Sequence, residues 1–348
     1  MNSISENLKS DCLVIGGGVI GMLTARELAL RGLDVSLFDK GRLGMESSWA
    51  AGGILSSMRT WLEHPFSAEL SNEGKACYAD LVEELKQQTG IDAEYYRSGL
   101  LMINKSDVEH TRQWAEKNQV SFYESHKGHP PNMHIPAYSI FLPEIAQLRV
   151  PRLLKALHAS LIKLGVSIFE NTAITGMDIK EGICKSIRAG SETYYADSFI
   201  ISAGAWSAQV LGIDKNQVKI KPVLGQMLCV KFAEQRLETM VLDGGHYFIP
   251  RKDGHVLIGS TMEDVGFAKE TTQSARNNLM QWACALWPDI ANAEFIKHWS
   301  GLRPATGNGK PYLGKLKDHE NVYINAGHFR KGILQAPVCA RKIAEMLC

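Results

Sequence analysis

The residues with the clearest chemistry lie near the N-terminus. Gly16, Gly18 and Gly21 form G-x-G-x-x-G within DCLVIGGGVIGMLTARELALRGLDVSLFDK, residues 11–40. Each glycine in such a turn serves a different end: one makes a tight bend, one lets backbone approach a pyrophosphate, and one permits close helix–strand packing. The N-terminus of the helix that follows aims free N–H groups and a partial positive charge at the phosphates, and Val19 and Ile20, within the motif, are candidate cofactor contacts. Asp39, with Lys40 beside it, follows Gly21 by 18 residues and ends the next apolar run. A carboxylate there accepts hydrogen bonds from ribose hydroxyls and disfavours a 2′-phosphate, and so NADP. The motif alone leaves NAD and FAD open.

The elements around these residues narrow the choice. Residues 12–15 read as a short buried strand, 23–30 carry helical spacing with Gly32 at the C-cap position, and 35–38 read as a second strand. This is the βαβ start of a parallel sheet. An NAD enzyme usually completes its fold with a second βαβ half. Here residues 66–90 read as a helix ending at Gly90, and 91–148 as short mixed segments with loops. The sheet resumes only near residue 150. Residues 153–164 predict an amphipathic helix ended by Gly165, and several short strands follow, with 199–202 apolar enough to be central. YFIPRKDGHVLIGST predicts a hairpin around Asp253 and Gly254. The last stretch reads as strand, glycine turn and helix, with Pro337 in the first helical turn, where a missing N–H costs little. Three segments bring glycine-rich backbone to further points of close approach: SSWAAGGIL (47–55), SAGAWS (202–207) and AGHFRKGI (326–333). That suits a long, extended FAD better than a nicotinamide cofactor.

The bulk numbers exclude other classes. With 348 residues, 45% hydrophobic and 22% charged, the chain can bury a sizeable core. A formal charge of +1 gives no basic excess for nucleic acid or an acidic membrane surface. Seven cysteines, odd in number and never in CxxC spacing, read as free thiols of a reducing compartment. The apolar stretch 12–23 holds three consecutive glycines and is flanked by Asp11, Arg26 and Glu27, unlike a signal h-region, and it is too short to span a bilayer. A soluble cytoplasmic protein is the expectation. His126, His129 and His134 share a Pro/Gly loop without a matching carboxylate spacing, so no metal site is expected there.

The stretches VIGGGVIG, SSWAAGGIL, YFIPRKDGHVLIGSTM, GLRPATGNGKPYLG and INAGHFRKGILQAP together carry a resemblance that covers nearly the whole chain. The sequence resembles the D-amino-acid-oxidase-like flavoproteins, and among them the glycine oxidase group of thiazole (thiamine) biosynthesis. The resemblance implies an α/β plus antiparallel β fold: a discontinuous Rossmann-type FAD-binding domain (9–85, 150–220 and 301–348) and a substrate domain on a large antiparallel sheet (86–149 and 221–300). It implies that Gly16, Gly18, Gly21 and Asp39 meet the pyrophosphate and ribose, that Ser47 and Ser48 hydrogen-bond the cofactor, and that Ile174 meets adenine through its backbone. Ala51, Gly52, Gly53 and Ile54 would run along the isoalloxazine. Ala203, Gly204 and Trp206 would be further cofactor contacts, and His328, Phe329, Arg330, Lys331, Gly332 and Ile333 would turn around the flavin's pyrimidine end. Relatives that attach flavin covalently use a cysteine in the segment matching GLRPATGNGKPYLG; none stands there, so non-covalent FAD is expected.

The implied reaction is oxidation of glycine, sarcosine or small D-amino acids by hydride transfer from Cα to flavin N5. Its products are a 2-oxo acid, ammonia and H₂O₂, with O₂ as acceptor. Arg303 suits the carboxylate clamp, because a guanidinium matches a carboxylate bidentately and stays charged. Tyr247 would add a hydrogen bond. Met262, at the end of the second hairpin strand, would receive the amine on its backbone carbonyl, and Ile54, Met262 and Arg330 would bound the pocket. The resemblance further implies a homotetramer and delivery of the imine to a thiazole synthase. A dehydrogenase passing electrons to a quinone or carrier, and a non-catalytic FAD-binding protein, stay open at this stage.

Overall fold

A computed structural model describes residues 9–57, 59–124, 128–210 and 216–348. The chain begins β1 (Lys9–Ile15), α1 (Val19–Leu30), β2 (Val35–Phe38), α2 (Pro65–Thr89), β3 (Tyr96–Arg97), β4 (Leu100–Met102) and α3 (Lys105–Lys117). It continues through β5 (Ile140–Leu142), β6 (Ala146–Gln147), α4 (Val150–Lys163), β7 (Ser167–Phe169), β8 (Ile174–Lys180), β9 (Ile183–Ala189) and β10 (Glu192–Ile201). Then come β11 (Ile220–Lys231), β12 (Met240–Asp243), β13 (His246–Pro250), β14 (His255–Gly259) and α5 (Gln273–Leu286). The last elements are β15 (Glu294–Thr306), β16 (Tyr312–Lys315), β17 (Val322–Ala326) and α6 (Gly332–Leu347).

Two large sheets carry the molecule. The first has eight strands, with the path β16-β17-β10-β1-β2-β7 and β9 and β8 joined through β10. Its centre is parallel: β1 pairs β2 and β10, and β10 pairs β17. These strands are covered on both faces, which is why they read as continuous apolar runs. Val14, Leu37 and Ile200 pack under α1, α4 and α6, and Leu13, Phe38, Phe199 and Ile201 pack on the opposite side. The second sheet has seven strands in the order β15-β11-β14-β13-β12-β4-β5 and is antiparallel except for the β12–β4 pair. Its side chains alternate with period two. Phe248 and Ile258 face a core with Leu279 and Trp287, while Tyr247 and Ile249 join the opposite cluster with Met227.

The structure departs from the sequence pattern at several places. Residues 91–148 are not all short segments, because α3 occupies 13 of them; only four of its residues are buried, so its apolar signal is thin. Helix α5 likewise has no counterpart among the expected elements. β14 stops at Gly259, so Met262 lies beyond the strand and not at its end.

Pro337 is not in the first turn of α6; it is the sixth residue of a helix that starts at Gly332. There it removes the N–H that would serve the carbonyl of Ile333, a loss that ordinarily costs about 3 kcal/mol. The fully buried Tyr78 of α2 donates its hydroxyl to that same carbonyl. The substitute donor comes from 255 residues upstream.

Candidate active site

A single elongated cavity runs from the C-terminal ends of β1, β2 and β10 to the face of the second sheet. This is where open α/β sheets place their ligands. At the first end Gly16 takes φ +108°, and a Cβ there would lie 2.4 Å from Ser202 O. Gly21 does not line the cavity; a Cβ on it would lie 1.8 Å from Gly16 O, so its absence lets α1 close onto the strand. Gly18, the N-cap of α1, supplies no side-chain cap, and Val19 N donates instead to Ser48 Oγ at 2.9 Å. Asp39 accepts from Gly17 N at 2.7 Å and from Gly41 N at 2.8 Å, which fixes its carboxylate at the mouth of the turn. Lys40 stands 3.3 Å above the centre of the Trp206 ring, and burial lowers its pKa. Ile20, Ser47, Ile174, Ala203 and Gly204 also line this arm.

The middle of the cavity is walled by Ala51, Gly52, Gly53 and Ile54 on one side and by His328, Phe329, Arg330, Gly332 and Ile333 on the other. His328 is 2% exposed, with Nδ1 2.9 Å from Gln335 Oε1 and Nε2 3.0 Å from Asn325 Oδ1. Burial pushes its pKa down to about 4, so it is a neutral structural imidazole. Lys331 is turned away from the cavity, pairing with Glu63 at 3.0 Å and donating to Ser67 Oγ at 2.8 Å. It belongs to the packing of α2 against the turn, which corrects its expected place at the cofactor.

At the far end Arg303 of β15 lies flat against β11. A Cβ on Gly225 would come within 2.1 Å of its Nη2. Tyr247 of β13 lies likewise over β14, where a Cβ on Gly259 would come within 2.6 Å of its ring. Arg303 donates from Nη1 to Thr261 O at 3.1 Å and from Nη2 to Ser260 Oγ at 2.9 Å, and it has no acidic partner among the described residues. Arg330 shares this end; its Nε is buried without a hydrogen-bond partner among the described residues, and its Nη2 reaches Met262 Sδ at 3.6 Å. Burial, and then the neighbouring Arg303, lower the Arg330 pKa. The Met262 side chain is 64% exposed and does not line the cavity, contrary to its expected pocket role.

Several lining residues have no signal of their own in the sequence. Gly225, Met227, Ile249 and Gly301 reach the site only through strand register, with Gly225 opposite Gly301 and Tyr247 opposite Gly259, and Ser260 follows directly on the end of β14. Of the three loop histidines, His126 lies outside the described residues, and His129 and His134 contact the carbonyls of Pro130 and Ala285. Among the described residues no helix is long and apolar enough to cross a membrane.

The donor set fits an FAD. A backbone-lined helix start and a fixed carboxylate suit pyrophosphate and ribose, and the buried Ser202 Oγ at the wall has no partner among the described residues. The glycine-walled middle leaves room for a flat ring, and the arginine end for an anion. Fold and site together define an FAD-binding oxidoreductase.

A family profile for FAD dependent oxidoreductases, DAO, matches residues 11–346, and the chain belongs to this family. The chain is 36% identical to a glycine oxidase of Pseudomonas putida over 346 residues, 98% of this chain and 95% of that one. It superposes on the crystal structure of glycine oxidase from Geobacillus kaustophilus with a TM-score of 0.90, at 28% identity, covering 97% of this chain and 94% of that one. It is also 28% identical to the bifunctional protein ThiO/ThiG of Trichormus variabilis, over 97% of this chain but 52% of that longer protein.

Proposed function

We propose that the protein oxidises glycine, and with it sarcosine and small D-amino acids, to the 2-oxo acid, ammonia and H₂O₂. When bound, FAD supplies hydride abstraction from Cα and the return of two electrons to O₂. The chain's own part is to hold and orient the substrate. Arg303 clamps the carboxylate and Tyr247 hydrogen-bonds it. Ile54, Met227 and Ile249 keep water from the reacting carbon. No protein base is needed, because the amine releases its proton to solvent before the carbon is oxidised. The observation that carries this reading is Arg303 itself: a cation in the cavity wall bonded, among the described residues, only to carbonyls and a hydroxyl, with a second guanidinium beside it. Such a pair calls for an anionic ligand.

The relatives named glycine oxidase, and the ThiO/ThiG protein of which this chain matches about half, support placing the product in thiazole formation for thiamine, with a thiazole synthase as recipient. A cytoplasmic homotetramer is part of the same proposal. The test is peroxide release by the FAD-loaded protein against glycine, sarcosine and a D-amino-acid panel. Peroxide with glycine is expected. Anaerobic bleaching by glycine with no reoxidation in air would overturn the oxidase reading.

A further inference from the structure

The turn of the β13–β14 hairpin places Arg251 behind the cavity wall, 3% exposed and hydrogen-bonded to no carboxylate among the described residues. Its Nη1 donates to Gln147 Oε1 at 2.6 Å, and its Nη2 to the carbonyl of Gly52 at 2.7 Å. Gln147 has its amide orientation fixed, because its Nε2 donates to Ser98 Oγ at 2.8 Å. The charged groups nearby are occupied with one another: Arg149 pairs with Glu94 at 3.1 Å and with Asp253 at 2.8 Å. Burial brings the Arg251 pKa down to about 10, which leaves it a cation at neutral pH. A buried guanidinium satisfied only by neutral acceptors is costly, so its presence calls for a compensating role.

That role follows from the peptide it grips. Gly52 and Gly53 line the cavity and Arg251 does not. The segment is pinned by Leu148 N to Gly53 O at 3.0 Å and by Leu55 N to Ala146 O at 2.9 Å. Both glycines are sterically required: a Cβ on Gly52 would meet Ile249 at 2.4 Å, and one on Gly53 would meet Leu148 O at 2.1 Å. In a trans peptide the C=O and N–H point in opposite directions. With the Gly52 oxygen held by Arg251, the Gly53 N–H points away from the guanidinium, towards the cavity, and it has no partner among the described residues. A charge on the carbonyl polarises the whole peptide and makes that N–H a stronger donor.

We infer that Arg251 is an electrostatic positioning residue, acting through the Gly52–Gly53 peptide to stabilise negative charge on the cofactor when it is reduced. The inference rests on FAD occupying the cavity, and the test separates the two. Arg251→Met, Arg251→Lys and Gln147→Glu are compared with the parent as holoproteins. The readouts are FAD bound per chain, the dissociation constant of sulfite (which adds to oxidised flavin and leaves it anionic) and the two-electron potential.

Arg251→Met should keep FAD yet bind sulfite about tenfold more weakly, the scale of one charge-assisted hydrogen bond, with a more negative potential. Arg251→Lys should recover most of the sulfite affinity. Gln147→Glu, which hands the guanidinium a carboxylate, should weaken sulfite in the same direction even if the Met variant fails to fold. Sulfite affinity and potential unchanged in the folded variants at full FAD content, or equal losses in Lys and Met, would overturn the role. A parent protein that takes up no FAD would fail the cavity assignment instead.

Discussion

At the nucleotide end of the cavity the ligand-facing groups are largely backbone atoms, and Gly16, Gly18 and Asp39 lie within 24 residues of one another. At the substrate end they are side chains, with Tyr247 and Arg303 brought together because β13, β14, β11 and β15 are successive neighbours in one sheet. The first end is rigid in composition: Gly16 and Gly21 are needed because nothing else fits beside Ser202 and Gly16. The second end uses its glycines differently. Gly225 and Gly259 open flat berths in which long side chains rest, so the sheet sets the height of Arg303 and Tyr247 above it. On the proposed function, anchorage of the cofactor would be a local property of one turn, and recognition of the substrate a property of sheet register.

Substitutions should divide along this line. The largest effect is expected from Gly21→Ala, whose methyl would overlap Gly16 O at 1.8 Å. The purified chain should lose bound FAD and thermal stability together, and retention of FAD at the parent level would remove the packing argument. Next comes Arg303→Ala, which should lower kcat/KM for glycine about 100-fold or more while FAD content stays constant, the scale of removing one partner of a buried charge pair. If FAD were lost as well, the two ends would not be separable.

A third effect links both ends through His328. Its folded pKa of about 4 lies below its ordinary value of 6.5, so the unfolded chain takes up the proton first as pH falls. The stability it contributes is complete above pH 6.5. It declines as pH drops towards 4, by at most about 1.4 kcal/mol per pH unit. Thermal melts between pH 7.5 and 5 should show this slope, and His328→Asn should flatten it. The smallest effect is Ser260→Ala, which removes one bond to Arg303 and should raise KM about fivefold, near 1 kcal/mol, without altering FAD binding.

The same contrast explains what is legible in the sequence. The β1–α1–β2 unit, the hairpin and the closing strand–turn–helix are visible because their apolar periods and glycines are local. Helix α3 is hidden by its polar surface. Arg303 and Tyr247 stand out through the motifs around them, whereas Ser260, Gly225 and Arg251 are ordinary strand or turn residues. Their meaning depends on which strand lies beside which. Lys331 resembles a neighbour of the cofactor by sequence adjacency alone. It sits in a 3-10 turn, which rotates about 120° per residue, and that sends it to Glu63.

The bond from Tyr78 to the carbonyl beneath Pro337 also bears on the routes by which this sequence can change. Replacing Pro337 by alanine first would restore a helical N–H for Ile333 and set the tyrosine hydroxyl free, after which phenylalanine at position 78 would be tolerated. Losing the hydroxyl first would strand a carbonyl in the packed interface of α2 and α6. The two replacements are open in one order and closed in the other, so neutral drift at either position depends on which residue moved first.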